Sequence, residues 1–115
     1  MIDIAGSVAV VTGAGQGNGR AIALGLARAG ARLALCDVNG DMVAETAAMI
    51  QAEGAEALAQ TVDVTDSAAC RAFATRVGEE RGETAILVNN AGIIRRHGLD
   101  DPAFDDHWDA TFQVN

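Results

Sequence analysis

The sequence contains no tyrosine, and all eight of its basic residues are arginines, so neither a phenol nor a lysine amine is available for acid–base chemistry. Aromatic residues make up only 3 % of the chain although 50 % of it is hydrophobic, so any core must be aliphatic and rich in alanine. The only two cysteines, Cys36 and Cys70, lie far apart and in no metal-ligand spacing. That excludes a disulfide-stapled scaffold, and both read as small core residues of a reduced, intracellular protein. His97 and His107 have no partner at metal or catalytic spacing and read as surface residues, so no metal is expected.

Positive charge is also scarce. The net charge of −8 argues against nucleic acid and anionic membranes as partners, because phosphate contacts need a basic face. No basic segment opens the chain, so no secretory signal is expected. The longest uncharged run, Ile4 to Gly19, is interrupted by Gly, Ser, Thr, Gln and Asn and is no membrane span. A cytoplasmic address is the expectation.

What is present is an alternation of strand-like and helix-like stretches. Val8 to Val11 forms a short apolar run suited to a strand buried on both faces. Helix formers follow from about Gly19 to Ala29, with Ile22 and Leu26 four apart on one face. Leu33 to Cys36 is the second strand, Asp41 to Glu53 the second helix with Val43, Ala47 and Ile50 on its stripe, and Ala57 to Val62 the third strand. Asp66 or Ser67 caps a third helix carrying Ala69, Phe73 and Val77, and Ile86 to Val88 is the fourth strand. A loop holding Arg95, Arg96 and His97 leads to Pro102 and a last helix with Trp108 and Phe112. Helices alternating with strands imply βαβ units, and right-handed crossovers imply an α/β, Rossmann-type doubly wound parallel sheet of strand order 3-2-1-4. Residues 1–115 then form the N-terminal part of one such domain.

The turn after the first strand, Thr12 to Gly19, carries four glycines. A tight turn needs positive φ, which Gly tolerates, and bare backbone lets a pyrophosphate approach main-chain amides at a helix N-terminus. The spacing is not G-x-G-x-x-G, since the sixth residue of a motif starting at Gly13 is Asn18 and of one starting at Gly15 is Arg20. Asp37 closes the second strand, where a carboxylate accepts from the hydroxyls of an adenosine ribose and repels a 2′-phosphate, favouring NAD over NADP.

The pattern Thr12-Gly13-x-x-x-Gly17-x-Gly19, followed by Asp37, Asp63 and Asn89-Asn90-Ala91-Gly92, resembles the short-chain dehydrogenase/reductase family along the whole chain. The resemblance implies that Gly13, Gln16, Gly17, Asn18 and Gly19 hold the pyrophosphate. It implies that Asp63 addresses the adenine amino group and Val64 packs on the ring. Asn89, Asn90, Ala91 and Gly92 would pass close to the cofactor, and Asn115 would help hold a water of the proton relay. Gln16 and Val38 stand where NADP-dependent members often carry a basic residue. Asn18 departs from the aliphatic residue usual at that position, although its amide can still reach a phosphate.

The family's chemistry needs a Tyr and a Lys four residues later, together with a Ser, and Ser7 and Ser67 are in the wrong elements. The expectation is therefore a fragment of an NAD-dependent enzyme acting on a secondary alcohol or ketone, inactive by itself and homo-oligomeric when whole. An open apolar edge beside the fourth strand would leave it marginally stable or self-associating. Residues 89–96 look like the sugar-acid branch, including gluconate and deoxygluconate dehydrogenases. The Arg95–Arg96 pair could draw a substrate carboxylate or simply be solvated. A 3-oxoacyl reductase and a non-catalytic nucleotide-binding module remain as alternatives.

Overall fold

The computed structural model describes residues 4–89 and 92–95. The expectations for Asn90, Ala91, Arg96, His97, His107, Trp108, Phe112 and Asn115 lie outside the described residues. Among them run β1 (Val8–Thr12), α1 (Gly17–Arg28), β2 (Arg32–Asp37), α2 (Gly40–Ala52), β3 (Ala57–Thr61), α3 (Ser67–Arg81), β4 (Thr84–Asn89) and β5 (Gly92–Arg95). The sheet order is β3-β2-β1-β4-β5, with the first four strands parallel.

The strand pattern explains the layering. Successive side chains of a strand point to opposite faces, so a strand covered on both sides must be apolar throughout. In β1, Ala9 and Val11 face one way, packing with Leu33, Leu35 and Val88 against Ala23 and Ala27 of α1 and Val43, Ala47 and Ile50 of α2. Val8 and Val10 face the other way, with Ala34, Cys36 and Leu58, against Cys70, Phe73 and Val77 of α3. Both cysteines are buried and not joined in a disulfide. Burial first, then Cys70 and Asp37 nearby, push the Cys36 thiol upward, which keeps it neutral within the apolar layer.

Three sequence expectations are corrected. The buried face of α1 is Gly19, Ala23 and Ala27, while Ile22 is exposed and Leu26 only half-buried. Small residues at four-residue spacing bring this helix close to the sheet, with Leu26 packed at the border of the same cluster and Ile22 outside it. In α3, Cys70 takes a fully buried place and Ala69 only borders the core. Finally, the free side of β4 is covered. Gly92–Arg95 pairs with it antiparallel, Asn89 opposite Gly92 and Ile86 opposite Arg95. Only two residues separate the strands, a span that permits a hairpin, and Ile93 and Ile94 are good strand formers. Gly92 thus opens a strand, and Arg95 ends it, where a turn and a loop were expected.

Helix starts follow local chemistry. Asp66 is the cap of α3, its side chain accepting from the Ala69 amide at 3.1 Å. Asn39 caps α2 by accepting from the Met42 amide at 3.0 Å. α1 has no side-chain cap and no acidic residue in its first turn, so its orphan amides are left for another acceptor. Among the described residues no helix is long and apolar enough to cross a membrane.

Candidate nucleotide-binding site

The site begins where β1 ends. Gly13 (φ 61°) and Gly17 (φ 59°) occupy the left-handed region that side chains rarely adopt, which reverses the chain from β1 into α1. Between them the loop is tied to β2. The Ala14 amide donates to the Cys36 carbonyl at 3.1 Å, and the Gly15 amide donates to Asp37 Oδ2 at 2.8 Å. Two further glycines are required by space. A Cβ on Gly15 would sit 2.8 Å from Asp37 Oδ2 and 2.9 Å from Met42 Cβ, and one on Gly19 would overlap the Gly13 carbonyl.

Beside this loop, at the C-terminal ends of β1, β2 and β3, lies a cleft of about 460 Å³. Thr12, Gly13 and Gln16 line it from the loop, Asp37 and Val38 from the end of β2, and Val62, Asp63 and Val64 from the end of β3. Its walls therefore offer bare backbone at one end and two carboxylates among valines at the other. Val38 is 70 % exposed at the lip, a position where a β-branched apolar side chain has no core to join. Parallel α/β sheets bind ligands in such a crevice outside the carboxyl ends of the strands.

The structure brings Gly13, Gln16, Asp37, Asp63 and Val64 together in this cleft, as their assignment to one site requires. Gly17, Asn18 and Gly19 form the first turn of α1, where Asn18 is exposed and Gly19 buried. Asn89 ends β4 as a buried polar residue and does not line the cleft. Asp37 also ties two stretches of backbone. Its second oxygen, Oδ1, accepts from the Asn39 amide at 3.0 Å, so both oxygens fix backbone. Each keeps a lone pair for a further donor.

Asp63 Oδ1 accepts from both the amide (2.9 Å) and the hydroxyl (2.6 Å) of Thr65. The hydroxyl bond first, then the amide bond, holds this carboxyl below the usual aspartate range. It is thus charged wherever aspartates are, and the stabilising effect of these bonds is lost only as pH falls through the lowered value. Thr65→Val is expected to move the Asp63 titration up toward 3.8, as read by a carboxyl-carbon NMR titration. An unmoved midpoint would remove the hydroxyl as the cause.

Sequence reasoning missed Arg20 and Thr46. Thr46 is buried within the apolar stripe of α2 and donates to the Ala14 carbonyl at 2.8 Å, while Arg20 Nε donates to its hydroxyl at 2.9 Å. The available signal was a lone hydroxyl on a stripe otherwise made of Val, Ala and Ile.

Residues 7–115 match the family described as short chain dehydrogenase. The chain belongs to the short-chain dehydrogenase/reductase family. Over 112 residues it is 43 % identical to the 2,3-dihydro-2,3-dihydroxybenzoate dehydrogenase of Bacillus subtilis, covering 97 % of this chain and 42 % of that protein. It is 41 % identical to epidermal retinol dehydrogenase 2 of Mus musculus, covering 98 % of this chain and 37 % of that one. A short-chain dehydrogenase/reductase from Burkholderia phymatum, solved in complex with NAD, superposes with a TM-score of 0.73 at 39 % identity, over 76 % of this chain and 31 % of that chain. The chain spans less than half the length of these three family members.

Proposed function

We propose that these 115 residues are the first part of one Rossmann domain that binds NAD, in an enzyme interconverting a secondary alcohol and a ketone. The observation that carries this reading is the placement of Asp37 in the cleft, bonded to the Gly15 amide of the glycine loop. The pyrophosphate would rest on the amides of Gly13 to Gly19, at the uncapped start of α1, where the helix dipole favours an anion. Asp37 would accept from the ribose hydroxyls through its remaining lone pairs, and Asp63 from the adenine amino group, with Val64 against the ring. Gly15 and Gly19 support this reading, because a side chain at either would press on Asp37 and Met42 or on the Gly13 carbonyl and shift the loop.

When bound, the nicotinamide supplies a hydride acceptor or donor. Asn89, Asn90, Ala91 and Gly92 would line the path toward it, and Asn115 would hold a relay water. The acid–base pair is placed outside these residues, which hold neither Tyr nor Lys. The 115 residues alone are accordingly read as catalytically inactive. The Arg95–Arg96 pair supports a substrate bearing a carboxylate, such as a sugar acid. The whole enzyme is read as a cytoplasmic homo-oligomer.

Titration of the whole protein with NAD and with NADP tests the cofactor assignment. NAD should bind at least roughly tenfold more tightly, because a 2′-phosphate would meet the Asp37 carboxylate within a few Å. Tighter binding of NADP would overturn it.

A further inference from the structure

We propose that Thr46, oriented by Arg20, is a positioning residue for dinucleotide binding: it clamps the Ala14–Gly15 peptide of the glycine loop from the side of α2. The link to the dinucleotide rests on the NAD reading above, whereas the clamp itself is a property of this chain alone.

Thr46 is fully buried, one turn into the stripe of α2 that packs on the sheet. Its hydroxyl has three acceptors within reach: the Ala14 carbonyl at 2.8 Å, the Met42 carbonyl at 3.2 Å and the Gly15 carbonyl at 3.5 Å. A hydroxyl has one proton to give. Arg20 decides where it goes. Its Nε donates to the Thr46 oxygen at 2.9 Å, and its Nη2 donates to the Met42 carbonyl at 3.2 Å, supplying the competing acceptor. The Thr46 proton is left for Ala14, the shortest of the three contacts. Arg20 is itself held by Glu45, Nη1 to Oε1 at 2.8 Å.

The other end of the same peptide is fixed independently, since the Gly15 amide donates to Asp37 Oδ2 at 2.8 Å. A peptide unit is rigid and planar, so pinning its carbonyl and its N–H sets the plane. That plane sits between the end of β1 and the residues Gln16 and Gly17 that lead into α1. Its orientation governs where the following amides face. A loop held in its binding geometry before the ligand arrives loses less freedom on binding. Valine in place of Thr46 would keep the branched shape and leave the Ala14 carbonyl buried without its donor.

Thr46→Val and Thr46→Ser in the whole protein test this. Two readouts are taken, amide hydrogen exchange at Gly15, Gln16 and Gly17 without cofactor, and the NAD dissociation constant. Thr46→Val should exchange faster at these amides and bind NAD roughly tenfold more weakly, and its KM for NAD should rise by a larger factor than kcat falls. Thr46→Ser should restore both readouts to within about twofold, because it keeps the donor. A lower melting temperature with loop exchange and NAD affinity unchanged would overturn the proposal, as would a serine variant no better than valine. Should Thr46→Val fail to fold, Arg20→Met gives the second route, with faster loop exchange and roughly threefold weaker NAD binding expected. A wild-type protein that binds no NAD would sink the NAD reading, while the exchange measurement still decides the clamp.

Discussion

Gly19→Ala is expected to weaken dinucleotide binding by about 100-fold or more and to destabilise the fold by about 1–3 kcal/mol. The added methyl would overlap the Gly13 carbonyl and lie 3.1 Å from Ala14 Cα, all of it backbone. A flexible side chain could swing away from such a contact, but two segments of main chain can only move apart. Separation of α1 from the loop would break the register between the Gly13–Gly17 amides and the first turn of the helix. Losing two amide bonds to a charged phosphate, each worth about 1.5–3 kcal/mol, accounts for the affinity change. Gly25→Ala, six residues further along α1, supplies the contrast. A Cβ there meets nothing, so the helix should gain up to about 1 kcal/mol from the better propensity of alanine, with affinity unchanged. Calorimetric titration and thermal melting of both variants check the pair. A Gly19→Ala protein binding like wild type would mean that phosphate does not rest on this loop.

The two alanine substitutions also mark the limit of sequence reading. Glycine spacing revealed a strand–turn–helix, and continuous apolar runs at Val8–Val11 and Leu33–Cys36 revealed strands buried on both sides. Those signals are local, and the parallel order of β3, β2, β1 and β4 follows from them through chain connectivity. Which glycine tolerates a methyl is not local. Gly19 and Gly25 belong to one helix, and only the approach of Gly13 tells them apart. The same holds for the face of α1. Ile22 and Leu26 carry more apolar surface than Ala23 and Ala27, but the distance between helix and sheet is set by the smallest residues between them. Antiparallel β5 escaped notice because a run of four residues, Gly92–Arg95, is too short to carry a period. Thr46 was hidden for a related reason. Its partner Ala14 is 32 positions away, and a hydroxyl's partner cannot be read from its own neighbours.

Asp37 gives the second large effect, and two substitutions separate its two tasks. One task is mechanical: Oδ2 accepts from Gly15 and Oδ1 from Asn39, so the carboxylate joins the glycine loop to the segment that opens α2. The other, proposed above, is electrostatic selection of the cofactor. Asp37→Ala removes both, and NAD affinity should fall roughly 100-fold, the magnitude of two lost bonds to a charged group. Asp37→Asn carries no charge and keeps one acceptor oxygen, so only one of the two backbone bonds survives. With that oxygen turned to the Gly15 amide it should keep more of the loop's protection from amide exchange and more NAD affinity than Asp37→Ala, and narrow the NAD-to-NADP preference by about tenfold. Two unit charges 4 Å apart interact by about 4 kcal/mol at an effective dielectric near 20, and screening at a partly exposed cleft reduces this toward the expected tenfold. Titrations at low and high salt supply the discriminating measurement. In the wild type the preference should shrink as salt screens the carboxylate, whereas in Asp37→Asn it should be nearly salt-independent. An asparagine variant with an unaltered preference would leave Asp37 only its mechanical task, and selection against the 2′-phosphate would then have to come from the shape of the lip at Val38.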